Sequence, residues 1–209
     1  YFQIQTTTHG ATTITTVDDD AAAADLTLTI DGDIALNPAG DFSVTADTNT
    51  FSSANSADPL VIIKNTTNDA GCARLRFVKD KGAAGAANDD VGIIQFYGDD
   101  ANQDQVLFGR IRTRVAVHTN GQEGGKMQFA VASHDGELNA GLTIGDGDAE
   151  DEVDVTIGNG ADSLTTIAGD LDIPNGGFAL GSDASGDMYY RNSSGVLTRI
   201  AVGSDNHVL

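Results

Sequence analysis

The sequence lacks the side chains from which a single chain builds a large core. Tryptophan is absent, aromatic residues make up 6% of 209 positions, and there are three prolines and one cysteine. Leucine, isoleucine, valine and phenylalanine number 49 of 209 residues, or 23%, just above the composition at which chains fail to fold. One copy has material for only a thin core, which identical chains could remedy by sharing theirs.

Positive charge is also scarce and unevenly placed. The chain has 11 Lys and Arg against 31 Asp and Glu, a net charge of −20. Nine of the eleven cations lie between Lys64 and Lys126, and residues 1–63 and 127–190 contain none. An acidic surface repels phosphate and anionic lipid, and no apolar run approaches the ~20 residues of a membrane span. Neither nucleic-acid binding nor membrane insertion is expected.

No pattern of metal ligands is complete. The four histidines have no second His or Cys at ligand spacing. The acidic run Asp146–Asp154 fails the calcium-loop pattern, because Asp151 stands where that pattern needs glycine. We interpret the run as a solvated strand edge, and we expect neither a metal nor a cofactor. The single Cys72 excludes an intrachain disulfide and is predicted to be a buried free thiol.

Catalytic constellations are equally incomplete. Ser133, His134 and Asp135 hold the residue types of a catalytic triad, but side chains of neighbours on a strand point apart. This segment is predicted to be a turn. Some carboxylate pair among 31 acidic residues will meet the spacing of a glycosidase by chance, yet the chain has few aromatic platforms for a sugar. The sequence favours a protein without enzymatic activity.

What the chain does contain is a short repeated unit of strand-forming residues that end in Ile and are followed by Gly with Asp or Asn. β-Branched residues suit a pleated strand, and the residues that follow suit a turn. The copies are L-T-I-D-G-D at Leu28–Asp33, L-T-I-G-D-G at Leu142–Gly147, V-T-I-G-N-G at Val155–Gly160 and T-T-I-A-G-D at Thr165–Asp170. Alternation around them predicts a shared trimer core of Leu26, Leu28, Ile30, Val153, Val155, Ile157 and Ile167.

The repeats divide the chain into regions. The expected order is a lead-in at 1–24 with a tag remnant at 1–3, thin shaft at 25–58, a wider central β-domain at 59–144, shaft again at 145–177, and a C-terminal motif at 178–209. That last motif has a predicted hairpin turn at Asn192–Gly195.

The central β-domain is predicted to hold five or six strands and no helix. Leu60–Ile63 reads as a fully buried strand, and Leu75 with Phe77 indicates another. Further along, apolar residues alternate with arginines, which predicts a strand with one apolar face and one cationic face. The apolar set is Leu107, Ile111, Val115 and Val117, and the arginine set is Arg110, Arg112 and Arg114.

Two blocks carry a resemblance to a known family. Arg74–Asp100 runs from an L-R-F strand through a small-residue loop to a G-x-I-x-F-x-G strand, followed by G-K-M-x-F and L-T-I-x-x-G. This block and Gly186–Asp205 resemble modules of bacteriophage tail fibres and tail spikes. The resemblance implies an elongated, intertwined homotrimeric β-fibre with a triple-stranded β-helix or β-prism-like shaft. It also implies a place in the virion, outside the cell, contacts with other tail proteins, and support of host attachment without shared catalytic residues.

Other functions remain open at this point. The chain could be a receptor-binding tip that contacts a host surface glycan or protein, or a bacterial trimeric surface adhesin, and less readily a polysaccharide depolymerase. Arg110, Arg112 and Arg114 could contact an anionic glycan. Pairing with the chain's own carboxylates is favoured, because a row of cations in a protein of this charge attracts them first.

Overall fold

The alternating residues of the central block form antiparallel strands in a computed structural model, which describes residues 4, 12–19, 24–173 and 185–200. The described chain is all-β and holds no helix, as the sequence predicts. The chain divides into two units, Tyr1–Ile62 and Ile63–Leu209. The second unit holds the strands β1 (Asp90–Asp99), β2 (Gln105–Val117), β3 (Gly124–Ala132), β4 (Leu138–Asp146), β5 (Val153–Ile157), β6 (Met188–Arg191) and β7 (Leu197–Ile200).

The first five strands form one meandering antiparallel sheet in chain order, β1-β2-β3-β4-β5. Tight polar turns allow this order, because they return the chain at once beside the strand it has left. Between β1 and β2, Asp100 Oδ1 accepts hydrogen bonds from the backbone N–H of Asn102 at 2.8 Å and of Asp104 at 3.0 Å. β5 pairs with β4 although the sequence assigns β5 to the shaft.

Irregularities in strand β2 change which side chains share a face. The register shifts beside Phe108 and Ala116, so each of these residues is an extra one in the ladder. Such a bulge moves the following side chains to the other face. Leu107 and Val117 therefore lie on the face opposite Ile111, and the prediction that these residues share one face is wrong.

The described residues bury almost nothing. Ala130 is the one buried hydrophobic residue among them, and no polar or charged residue is buried as a whole. The chain as a whole exposes 18635 Å², about twice the ~9,200 Å² expected for a folded monomer of 21.5 kDa. The sheet is thus a single layer, with strand pairing but without a second layer to cover it.

Several sequence predictions fail because this second layer is missing within the chain. Leu60–Ile63 is exposed and forms no strand, and Cys72 is exposed rather than buried. Leu75 and Phe77 lie in a segment without strand pairing. The block 59–144 holds four strands, not five or six. The described part of 25–58 holds no strand, although its residues alternate.

Strands β6 and β7 form a separate hairpin, as the sequence predicts. Asn192 Oδ1 accepts hydrogen bonds from the N–H of Ser194 at 3.0 Å and of Val196 at 2.9 Å. Gly195 has φ of 78°, a conformation that favours glycine. The predicted tag remnant at 1–3 lies outside the described residues, as do 174–184 and 201–209 of the predicted shaft end and C-terminal motif.

Candidate functional site

One face of the five-stranded sheet carries apolar side chains across its whole width. Residues opposite each other in an antiparallel ladder point to the same side, so the registers define the face row by row. One row is Ile94, Ile111, Phe129, Leu142 and Ile157. The next is Gly92, Thr113, Met127, Ile144 and Val155. An exposed apolar surface of this continuity marks an interaction site more often than a free surface.

The apolar face is partly covered at the β1 side by the chain itself. A methyl group built on Gly92 would lie 2.9 Å from Phe77 Cβ, so Phe77 packs directly on this glycine. Leu75 and Phe77 line one depression together with Ile94 and Met127. The opposite side stays open, since Val153, Val155 and Ile157 of β5 are 58–65% exposed.

The other face of the sheet carries the arginine row. Arg112 binds Asp90 through two hydrogen bonds, Nε to Oδ1 at 2.5 Å and Nη2 to Oδ2 at 2.7 Å. Arg114 Nε lies 3.5 Å from the same carboxylate. The Arg112 guanidinium lowers the pKa of Asp90 below its ordinary value. Internal pairing, favoured from the sequence, is confirmed for Arg112 by hydrogen bonds and for Arg114 by a charge contact alone. The Nε atoms of Arg110 and Arg114 are buried and have no hydrogen-bond partner.

The predicted trimer-core residues are all at least half exposed in one chain, in two groups. Leu26, Leu28 and Ile30 belong to the first unit. Val153, Val155 and Ile157 lie together on β5, and Ile167 follows in the same unit. The structure brings the β5 residues onto the apolar face of the sheet. A role in a trimer core stays a prediction for the whole set.

Most of the acidic run forms the loop between β4 and β5, and the Glu152 carboxylate closes that loop. Glu152 Oε2 accepts hydrogen bonds from the backbone N–H of Asp148 at 2.8 Å and of Ala149 at 3.0 Å. Among the described residues, no group of three or more His, Cys, Asp or Glu is arranged to hold a metal ion. Asp146 is the last residue of β4 and Asp154 lies on β5, so both ends of the run lie on strands while its middle is a loop and not the strand edge that the sequence predicts.

The Ser133-His134-Asp135 segment is the turn between β3 and β4, as predicted. Ser133 Oγ donates to Asp135 Oδ1 at 2.9 Å, and the backbone N–H of Ser133 donates to the Glu137 carbonyl at 2.8 Å. The hydroxyl lowers the pKa of Asp135. These contacts close a tight turn and do not join the serine to the imidazole.

Sequence reasoning missed the widest apolar surface. Phe96, Phe129 and Met127 were not among the predicted interface residues, although they alternate with polar neighbours in the same way as the residues of β5. That two-residue alternation, followed across all five strands, is the signal that could have found them. The packing of Phe77 on Gly92 has no comparable signal, since the two belong to segments that do not pair.

Comparison with known proteins adds no relative to this geometry: no protein-family model, curated protein or solved structure matches the chain. Within the described ranges, no helix is long and apolar enough to cross a membrane. Three features bear on function: the two faces of the sheet, the alternating segments of the first unit, and the resemblance carried by Arg74–Asp100 and Gly186–Asp205.

Proposed function

We propose that this chain is a structural component of a bacteriophage tail fibre that works as an intertwined homotrimer and supports host recognition and adhesion. The oligomer is inferred from the lack of a buried apolar core in the described part of one chain. A monomer of this mass that exposes about twice the expected area leaves its apolar side chains in water, at a cost of roughly 25 cal/mol per Å². Identical chains are the simplest source of the missing cover.

The first unit supports intertwining in particular. Leu26, Leu28 and Ile30 alternate with Thr27 and Thr29, yet the described residues around them form no strand with their own chain. Once other copies cover such an extended segment, its backbone N–H and C=O groups lose water and need protein partners, and a neighbouring copy can supply them along with apolar cover. Winding three chains about one axis would satisfy both needs together.

The assignment to a tail fibre rests on the resemblance of Arg74–Asp100 and Gly186–Asp205 to modules of such fibres. The expected role is mechanical, namely support and display for host adhesion in the virion. The resemblance implies no shared catalytic residues, so we propose no enzymatic step.

Light scattering coupled to size-exclusion chromatography tests the proposal. A trimer has a mass of 3 × 21.5 = 64.5 kDa. We expect this mass at micromolar concentration, and electron microscopy of the same fractions should show thin rods. A folded monomer of 21.5 kDa would overturn the oligomer. A globular trimer would overturn the fibre while leaving the oligomer intact.

A further inference from the structure

The apolar face of the sheet ends in two patches of different composition. The β1-side patch consists of Leu75 and Phe77, which are 66% and 48% exposed; Phe77 packs on Gly92, and Leu75 lines the same depression. The β5-side patch consists of Val153, Val155 and Ile157. Strands β1 and β5 are the first and last of the sheet, four strand spacings of about 4.8 Å apart, or roughly 19 Å. One copy therefore cannot join its own two patches without breaking the sheet.

The two patches also carry opposite charge at their margins. Residues 74–81 around the β1-side patch contain Arg74, Arg76, Lys79 and Lys81 against the single Asp80, a net charge of +4 − 1 = +3. Residues 146–154 before and within β5 contain six carboxylates and no cation, a net charge of −6. Among the described residues, Lys81 pairs with Asp89, while no ion pair joins Arg74 or Arg76 to a carboxylate.

We propose that the β1-side patch of one copy packs against the β5-side patch of the next copy, and that three such contacts close the ring. The inference rests on the homotrimer proposed above and names the surfaces that form it. A closed ring of three needs two different, complementary patches on every copy, because a contact of like with like closes after two. This chain provides one such pair on a single sheet face.

Charge selects this arrangement over the alternatives. A contact between two β5-side patches would oppose six carboxylates with six more, and like charges placed across an interface disfavour that pairing. In this ring the β5 residues of the predicted trimer core therefore pack on the β1-side patch of the next copy and not on their own counterparts. The head-to-tail contact instead brings the unpaired Arg74 and Arg76 towards the acidic loop. It also gives a reason why a chain of charge −20 places four of its 11 cations within residues 74–81. A second copy is thus the occupant that both patches fit.

Disulfide trapping tests the contact in the full chain. Cys72 is exposed and is first replaced by Ser, and Leu75→Cys is then combined with Val155→Cys. Both sites are more than half exposed, so the changes leave the fold of one copy intact. Mild oxidation should give covalent dimers and trimers on a non-reducing gel. Each single variant, Leu75→Cys or Val155→Cys, is the matched control and should stay at monomer mass.

The outcomes separate this inference from the proposed function. A wild-type trimer whose double-cysteine variant gives no covalent trimer would overturn the head-to-tail contact alone. Covalent dimers from either single variant would show that like patches meet, which also overturns it. A wild-type monomer would overturn both the contact and the homotrimer.

Charge reversal gives a second, independent measurement. Arg74→Glu with Arg76→Glu should raise the concentration at which the trimer dissociates by about tenfold or more, and so should Asp148→Lys with Glu150→Lys. Combining all four changes should restore assembly towards that of the wild type. If the combination assembles no better than either pair alone, the two charged margins do not meet.

Discussion

Residues 24–62 and the five-stranded sheet share a two-residue alternation but differ in what one chain can do with it. In the sheet, β1 to β4 are 9–13 residues long, and tight turns return each strand beside the last. In the first unit the alternating run at Leu26–Ile30 has five residues and no strand partner in the described chain. Short strands in a two-stranded ribbon are only marginally stable in water, so that run has little to gain from pairing with its own chain.

Backbone pairing and the burial of apolar side chains usually occur together in one chain, but in this protein they are separated. The inner strands β2, β3 and β4 are paired on both sides within one chain, but the apolar face of the sheet stays exposed, as do the alternating residues of the first unit. Pairing can therefore be completed locally, while burial cannot be completed by one copy in either region. We expect the sheet to drive assembly, and the first unit to depend on it.

The largest expected effect comes from a charge on the apolar face of the sheet. Ile157→Asp places a carboxylate in the row that contains Phe129, where a neighbouring copy would have to bury it. We expect loss of the trimer, measured as a fall to monomer mass in light scattering. Thr156→Asp is the matched control, because it lies on the same strand but points to the opposite face. Equal assembly of both variants would contradict a role for this face.

A charge in the first unit should act locally rather than globally. Leu28→Asp removes a side chain expected to contribute about 1.5–3 kcal/mol when buried, which corresponds to roughly 10–100-fold in a local opening equilibrium. The trimer should persist, while amide hydrogen exchange within residues 24–46 accelerates by that factor. Thr29→Asp serves as the control and should leave exchange near the wild-type rate. Dissociation of the Leu28→Asp trimer would show that the first unit drives assembly as strongly as the sheet.

The parts of this structure that sequence predicts are those decided by neighbours along the chain. The hairpin turn at Asn192 and the turn at Ser133 follow from residues that bond their own backbone. The shared face of Val153, Val155 and Ile157 follows from an uninterrupted alternation. Each of these features depends on contacts within a few residues.

The parts that sequence does not predict depend on distant segments. Bulges at Phe108 and Ala116 reverse the expected face of Leu107 and Val117. The residues of β2 alone do not predict these bulges. The exposure of Cys72 follows from the absence of a covering layer in one copy. The candidate interaction face needed the register of all five strands, and the repeat pattern marks only β4 and β5.

A smaller effect is expected where the chain covers its own sheet. Gly92→Ala would place a methyl group 2.9 Å from Phe77 Cβ, and overpacking of this kind costs about 1–3 kcal/mol. Gly125→Ala lies on the same face in β3 with no atom within 4 Å of the added methyl group. Replacing a strand glycine by alanine there should be neutral or stabilising by about 0.5–1 kcal/mol. The melting temperature should fall in Gly92→Ala and stay unchanged or rise in Gly125→Ala, and equal shifts in the two variants would show that Phe77 adjusts freely.

The smallest effect is expected from the ion pair between Arg112 and Asp90, on the sheet face that carries the arginine row. The Arg112 guanidinium lowers the pKa of Asp90 in the folded chain below the value of 3.8 that it would have when unfolded. A lowered folded pKa contributes stability that is present above the unfolded pKa and is lost as the pH falls through the folded one. Melting temperature should therefore drop more steeply below about pH 4 in the wild type than in Asp90→Asn. Asp99→Asn removes a carboxylate at the other end of β1 that makes no ion pair in the described residues, and it should keep the wild-type slope. The effect stays small because the Asp90 side chain is 41% exposed and solvent screens the ion pair. If Asp90→Asn loses melting temperature as steeply as the wild type, other carboxylates cause the acid sensitivity.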